Sequence, residues 1–310
     1  MYDLIGDIHG HAEELVRLLD ELGYCQTKGS YSHPSRRAIF VGDFVDRGPK
    51  IRQVLKIVRA MVDAGSALAV LGNHELNALA FHTELPDRPG EYLRSHTPKN
   101  VRQHQQTLDQ VPSDDLKEFL DWFRTLPLWL DLPGLRAVHA CWNEPAMASI
   151  ARSLTEHGGI TTSFLQAAYD DRQRLFWDVE TVLKGPEAAL PEGVTFFDKE
   201  GHERRKIRTR WYAPSEGHTY RTYGFRSDEI ACDSALLPEV IAAARPYPRD
   251  ARPVFIGHYW LWAERPGLLA PNVVCLDYSV ASGGFLTAYR WDGEVQLDEQ
   301  KFVTARARPI

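Results

Sequence analysis

Short apolar runs that stop abruptly at a glycine-flanked polar string constrain this chain more than any other feature. Tyr2–Ile5, Ala38–Val41 and Ala67–Leu71 lead into Gly6-Asp7-Ile8-His9-Gly10, Gly42-Asp43-Phe44-Val45-Asp46-Arg47-Gly48-Pro49 and Gly72-Asn73-His74-Glu75. Two later runs, Leu135–Val138 and Val254–Ile256, end in His139 and in Gly257-His258. Such bounded apolar runs read as buried strands. In open α/β sheets, groups just beyond the carboxyl ends of strands converge on one crevice although they are far apart in sequence. Asp, His, Asp, Asn, His and His are thereby delivered to one edge.

The intervening segments fit that reading. His11–Leu22 places Leu15, Leu18, Leu19 and Leu22 at helical spacing, and Lys50–Ala64 does the same with Ile51, Val54, Leu55 and Val58 after Pro49, which suits a helix start. Strands alternating with helices predict parallel pairing through crossover connections. Between Phe81 and Pro112 the chain turns polar, punctuated by Pro86, Pro89, Gly90 and Pro98, and reads as an irregular excursion over the surface; Asp114–Leu126 then reads as a helix with Leu116, Phe119, Leu120 and Phe123 inward. The interval from His139 to His258 lacks clean β-α alternation and predicts a cap, inserted at about 145–250 into a single domain over 1–310. Within it, Lys206, Arg208 and Arg210 alternate with Ile207, Thr209 and Trp211, a two-faced strand pattern. Val273–Leu276, Phe285–Trp291 and Glu294–Leu297 read as closing strands, separated by Gly283-Gly284 and Asp292-Gly293 turns.

Bulk properties narrow the class without naming a substrate. The 310 residues carry a formal net charge of −6, which disfavours a protein that coats nucleic acid while leaving room for a local phosphate grip. No apolar stretch approaches a bilayer span, and the first strand begins at Tyr2 without room for a leader, so a cytoplasmic protein is expected. Cys25, Cys141, Cys232 and Cys275 lack C-x-x-C spacing and read as reduced thiols.

The polar strings have the chemistry of a two-metal site. Asp43 offers two carboxylate oxygens and can bridge two cations; Asn73 adds a neutral oxygen, and His139 and His258 add imidazole nitrogens. Mixed N/O donors without thiolates suit Mn, Fe or Zn better than Ca. Two metals about 3.5–4 Å apart activate water, orient a phosphoryl group and stabilise attacking and leaving oxygens. Arg47 can present a planar fork to phosphate oxygens.

These strings resemble the calcineurin-like metallophosphoesterase superfamily, in its branch of phosphoprotein phosphatases and bacterial diadenosine tetraphosphatases. The resemblance runs from Gly6 to His258, and Val273-Val274-Cys275-Leu276-Asp277-Tyr278 through Gly283-Gly284-Phe285-Leu286-Thr287 resembles the end of the diadenosine tetraphosphatase and polynucleotide phosphatase subgroup. It implies an α/β fold, a β-sandwich flanked by helices in four α/β/β/α layers with an inserted cap. It implies two divalent ions, manganese first with iron or zinc as alternatives, one held by Asp7, His9 and Asp43 and the other by Asp43, Asn73, His139 and His258. His74 becomes the acid that protonates the leaving oxygen, with Asp46 orienting its ring, and Arg47 is joined at the phosphate by a second arginine, for which Arg208 and Arg210 are the candidates. Two departures stand out. Trp260 occupies a place where much of the superfamily has a further histidine, which points to the phosphoprotein phosphatase branch, and Ala140-Cys141 follows His139 where glycines are usual.

The expected activity is therefore hydrolysis of a phosphomonoester, on a phosphoprotein or a small phosphorylated molecule, by a hydroxide bridging two metals and without a phosphoenzyme. Cleavage of a dinucleoside polyphosphate is the alternative. A metal-binding regulatory module is a third reading, against which the presence of both His74 and Asp46 argues. Phe176, Trp177, Phe196, Phe197, Trp211 and Tyr212 read as cap core before they read as a groove for a base or a peptide. Cys141 reads as a buried apolar residue, His96 and His104 as surface histidines, and Asp277 equally as a turn carboxylate or a support for a metal loop.

Overall fold

Alternation along each central strand sorts its side chains into two layers. In the computed structural model, which describes residues 1–197, 203–225 and 230–307, Leu4, Ile39, Val41 and Val70 meet Leu135, Ala137, Phe255 and Val274 in a dry layer between two sheets. Ile5, Ala38, Phe40 and Ala69 point the other way, toward Leu15, Leu18, Val54, Leu55 and Val58 of the helices Ala12–Glu21 and Ile51–Asp63. In the second sheet Val138, Ile256 and Val273 likewise turn from the inter-sheet layer and join Ala146, Ile150, Val179 and Val182 of the helices Glu144–His157 and Arg174–Lys184. The result is the helix-flanked sandwich that the sequence leads one to expect.

Both sheets mix parallel and antiparallel pairing. Tyr2–Ile5 is parallel to Arg37–Phe40, which is parallel to Ala67–Ala69, while Phe285–Trp291 runs antiparallel to Tyr2–Ile5 and carries Asp277–Tyr278 and Phe302–Arg306. In the other sheet Val254–Ile256 lies parallel to Leu135–Val138 and Val273–Cys275, and Trp129–Leu132 closes it antiparallel to Leu135–Val138. Three site loops thus leave one sheet and two leave the other, meeting across the open end of the sandwich.

Three expectations are corrected. The polar stretch from Phe81 to Pro112 is a hairpin, Glu84–Leu85 with Arg88–Tyr92, followed by the helix Pro98–Gln110. Thr97 caps that helix by accepting the Asn100 N–H, and Pro98 occupies its first turn. Its apolar period is faint because its fully buried side chains are His104 and Thr107, both polar. Second, Glu294–Leu297 is no strand: the segment folds over the end of Phe285–Trp291, where Glu294 meets the Tyr289 hydroxyl and takes the Trp291 indole N–H on its carbonyl, and Phe302–Arg306 provides the closing edge. Third, the basic stretch is regular only over Lys206–Arg208, paired with Glu187–Ala189, although its alternation holds, with Ile207, Thr209 and Trp211 buried. The stretch expected to be a cap divides in two. Its first three helices, Glu144–His157, Thr162–Ala168 and Arg174–Lys184, share the main core, whereas Ala188, Leu190, Ile207, Tyr220, Tyr223, Ile230, Cys232 and Leu236 form a small core of their own. Among the described residues no helix is long and apolar enough to cross a membrane.

Candidate metal centre

The loops that leave the strands are held in conformations that residues bearing a Cβ seldom adopt. His9, Asp43, Asp46, Arg47, His258 and Trp260 have φ of 42°, 55°, 67°, 69°, 73° and 52°. Such strain persists only where surrounding bonds over-determine it. Glu75, fully buried, is the main clamp. Its Oε1 accepts the Phe44 and Val45 N–H groups at 2.7 and 3.2 Å, and its Oε2 accepts those of Asp43 and Gly72 at 2.8 and 3.1 Å. Burial and the charge of Asp43 push the Glu75 carboxyl up to about 7, against the pull of those N–H bonds. The two loops touch back to back at glycine: a Cβ on Gly42 would lie 2.6 Å from Gly72 Cα, and one on Gly72 would lie 2.3 Å from Asp43 Oδ1. Nothing in the sequence singles out Glu75 beyond its place in Gly72-Asn73-His74-Glu75. Glu75→Gln would turn an NH₂ toward two of the four N–H donors, and each buried donor left without an acceptor costs about 1–3 kcal/mol. We expect a loss of roughly 3 kcal/mol, read as a lower denaturant midpoint at unchanged m-value.

The side chains these loops deliver form two half-sites that share Asp43. Asp43 Oδ2 lies 3.5 Å from His9 Nε2, and Asp43 Oδ1 lies 3.4 Å from His139 Nε2. Asn73 Oδ1 sits 3.0 Å from His139 Nε2 and 2.7 Å from His258 Nδ1. Asp7 turns Oδ2 to the His258 N–H at 2.9 Å, with its other oxygen over Gly257, where a Cβ would come within 1.9 Å. Asp7, Asp43 and His139 form one tight donor group, and His9, Asp43 and His74 another.

Tautomers and charges suit cations. His9 Nδ1 donates to Val45 O at 2.8 Å and His139 Nδ1 to Val41 O at 2.7 Å, which leaves a lone pair on each inward Nε2 when the ring is neutral. Asp7 Oδ1 and His9 Nε2 are buried without a hydrogen-bond partner among the described residues, as atoms reserved for a metal would be. Burial and the neighbouring His74 bring His9 down to about 3, and burial and His139 hold His258 well below the usual range, so both rings are neutral. Burial and Asp277 push Asp7 up, whereas Asp43 is held down because His139 and His74 outweigh its burial. His139 is raised to about 10 because, against burial, Asp43 stabilises its proton, which a bound cation would displace. The residues therefore fit two divalent ions.

Beside this centre, His74 Nδ1 donates to Asp46 Oδ2 at 2.5 Å, and its Nε2 lies 3.9 Å from Asp43 Oδ2. Asp46 is held in turn by His104 and Thr107. His104, expected on the surface, is buried, with Nδ1 2.7 Å from Asp46 Oδ1, because the helix that carries it packs onto the site. His96 is exposed and stacks between Phe81 and Tyr92. The Arg47 guanidinium lies 4.0 Å over the Trp260 ring, so the residue standing where a histidine is common clasps the phosphate candidate. Asp277 serves both its own turn and the loop of His258: its Oδ1 accepts the Ser279 N–H at 3.0 Å and its Oδ2 the Trp260 N–H at 2.7 Å.

The cap arginines separate. Arg208 helps to lower the pKa of His258, and its guanidinium bonds the carbonyls of Lys184 and Gly185 and lies 3.2 Å from Glu187. Arg210 is spent on the carbonyl of Gly224 at 3.0 Å. Trp211 and Tyr212 are buried in the main core, and the Trp211 indole N–H meets Ala140 O and the Tyr259 hydroxyl, tying the cap to the loops of His139 and His258; Trp177 and Phe197 are exposed. Cys141 is buried and its thiol is pushed up by burial, as expected of an inert residue. The Ala140 and Cys141 N–H groups, where glycines are usual, both reach Val182 O.

The family model of calcineurin-like phosphoesterases matches residues 2–240. The chain belongs to this family. Its members depend on dinuclear metal sites, and the Asp and His groups described above could hold metal ions. A "Bis(5'-nucleosyl)-tetraphosphatase, symmetrical" of Vibrio campbellii is 26% identical over 96% of this chain and 97% of its own length. The asymmetrical tetraphosphatases PrpE of Halalkalibacterium halodurans and Oceanobacillus iheyensis are 49% and 32% identical over 24% and 44% of this chain, which spans only 30% and 54% of their lengths. A cold-active protein tyrosine phosphatase of known structure shares the fold with a TM-score of 0.51 at 17% identity, over 93% of this chain and 73% of that one. The family is one of phosphoester hydrolases.

Proposed function

We propose that this phosphoesterase cleaves dinucleoside polyphosphates of the diadenosine tetraphosphate type, with phosphomonoesters as its second substrate class. The observation that carries the shared chemistry is Asp43, one oxygen toward His139 and the other toward His9. The dinucleoside substrate moves ahead of the phosphomonoester favoured from sequence because a relative aligned over nearly the whole chain bears the tetraphosphatase name. The regulatory module is the weakest reading, since a module without turnover has no need of the 2.5 Å pair of His74 and Asp46 beside the metal donors.

Two divalent ions, manganese first and iron or zinc next, supply Lewis-acid activation of water and neutralise phosphoryl charge when bound. The protein's own groups do the rest. Arg47, braced on Trp260, turns a planar set of donors toward phosphoryl oxygens. His74, held by Asp46 through Nδ1, keeps Nε2 for the proton that the leaving oxygen takes as its bond to phosphorus breaks. Free thiols, one of them exposed, suit a reducing cytoplasm.

Arg208 and Arg210 are expected to behave differently. Arg208→Gln removes positive charge beside His258 and should slow diadenosine tetraphosphate more than a small aryl phosphate, with the gap closing in high salt. Arg210→Gln should chiefly lower the melting temperature. Salt titrations of kcat/KM with a thermal melt on each variant check this.

The substrate assignment is tested by a rate panel of diadenosine tetraphosphate, an aryl phosphate, its diester and phosphopeptides, with product analysis. A kcat/KM for the dinucleotide well above the others supports it, with two ADP marking symmetrical cleavage and ATP plus AMP the asymmetrical kind. A dinucleotide rate below that of every monoester would hand the site to the second reading.

A further inference from the structure

Behind the His74–Asp46 pair lies a second layer of buried donors that the metal chemistry does not use. Asp46 spends its carboxylate on both sides: Oδ2 accepts from His74 Nδ1 at 2.5 Å, and Oδ1 accepts from His104 Nδ1 at 2.7 Å and from the Thr107 hydroxyl at 2.6 Å. The Asp46 N–H also reaches Thr107 Oγ1, at 2.9 Å, which fixes the residue at its left-handed φ of 67°. His82 completes the chain, with its Nε2 3.2 Å from His104 Nε2. Burial brings His82 down to about 4, so near neutral pH it is a neutral ring whose Nε2 pairs with His104 Nε2. An Asp46 carboxylate oxygen can only accept, so His104 Nδ1 carries the proton between them. His104, Thr107 and Asp46 are buried, where an unpaired polar group costs more than a bond gains. Three polar side chains, His104, Thr107 and His82, are therefore spent on aiming one carboxylate.

We infer that His104, with Thr107, is a positioning residue for leaving-group protonation: it holds Asp46 so that Asp46 holds His74. The inference rests on the reading of His74 as the leaving-group acid. If Asp46 loses its grip on Oδ1, its Oδ2 no longer fixes the His74 ring, and Nε2 loses its aim at the leaving oxygen. The metal centre itself is untouched, because His104 and Thr107 contact no proposed ligand among the bonds described. Only substrates whose leaving oxygen needs a proton should then suffer.

The test uses the full-length, metal-loaded protein and aryl phosphates with leaving-group pKa values from that of 4-nitrophenol to that of phenol. His104→Gln puts an amide where Nε2 lies and loses the donor to Asp46; His104→Asn puts one where Nδ1 lies and keeps it. We expect the Gln variant to lose about ten-fold or more in kcat with phenyl phosphate but under about three-fold with 4-nitrophenyl phosphate, as a fraction of the ~10²–10⁴ that acid catalysis supplies. The Asn variant should restore the parent slope. His74→Asn is run beside them: if it slows all leaving groups equally, the acid reading of His74 fails. If it steepens the dependence while His104→Gln leaves it parallel to the parent, the inference on His104 is overturned. Should His104→Gln not fold, or aryl phosphates prove inert, Thr107→Val and the downfield His74 Nδ1–H resonance decide. That signal, assigned by its loss in His74→Asn, should shift or broaden when a donor to Oδ1 is removed, and a signal unmoved by Thr107→Val would also overturn the inference.

Discussion

Asp43→Asn is expected to release more than one equivalent of metal per chain and to lower kcat/KM by more than ~100-fold, the upper end of what loss of a mere supporting partner costs a metal site. The reason is geometric. Asp43 presents Oδ1 to the His139 side and Oδ2 to the His9 side, so a neutral amide with one acceptor oxygen weakens both half-sites together. The same oxygen that faces His139 accepts the His74 N–H at 3.0 Å, which an amide NH₂ in its place would repel. Metal analysis of the purified variant beside the parent, with kcat/KM on the same samples, reads both effects. Full metal content with full turnover would remove Asp43 from the bridging position.

His74→Asn is expected to leave metal content near that of the parent while slowing poor leaving groups by about 10²–10⁴. His74 is bonded to Asp46 through Nδ1 and reaches toward Asp43 only at 3.9 Å, so its removal unpairs one carboxylate without stripping an indispensable ligand. A good aryl leaving group departs with little protonation and should be slowed least. Equal loss on alkyl and aryl phosphates, measured where chemistry limits the rate, would assign His74 to the metal group that also contains His9 and Asp43 rather than to the leaving group.

The parts of the site that the sequence made legible are those that leave strands. Asp7, His9, Asp43, Asn73, His139 and His258 each follow an apolar run, and a strand end fixes position well enough that converging loops can be foreseen. The central strands were legible for the same reason, each being buried on both faces and reading as a short apolar run. His104 and Thr107 were not legible. They lie on a helix whose buried face is polar, so hydrophobic periodicity, the signal that finds helices, is weak where the function is densest. Glu294–Leu297 misled in the opposite way, since Leu297 is buried but its neighbour Val295 is exposed and the backbone turns instead of pairing. The cap arginines show the limit of alternation. Period two correctly put Arg208 and Arg210 opposite Ile207 and Trp211, but it could not tell that one side chain lies near His258 while the other bonds the carbonyl of Gly224.

The dinuclear centre is the claim on which the chemistry depends, and stoichiometric reconstitution tests it most directly. Protein stripped with a chelator and titrated with Mn²⁺ should bind two equivalents per chain and regain phosphohydrolase activity only as the second is filled, while Asp43→Asn regains neither. Activity that survives complete stripping, or that is fully restored by a single equivalent, would contradict a site in which Asp43 bridges two cations.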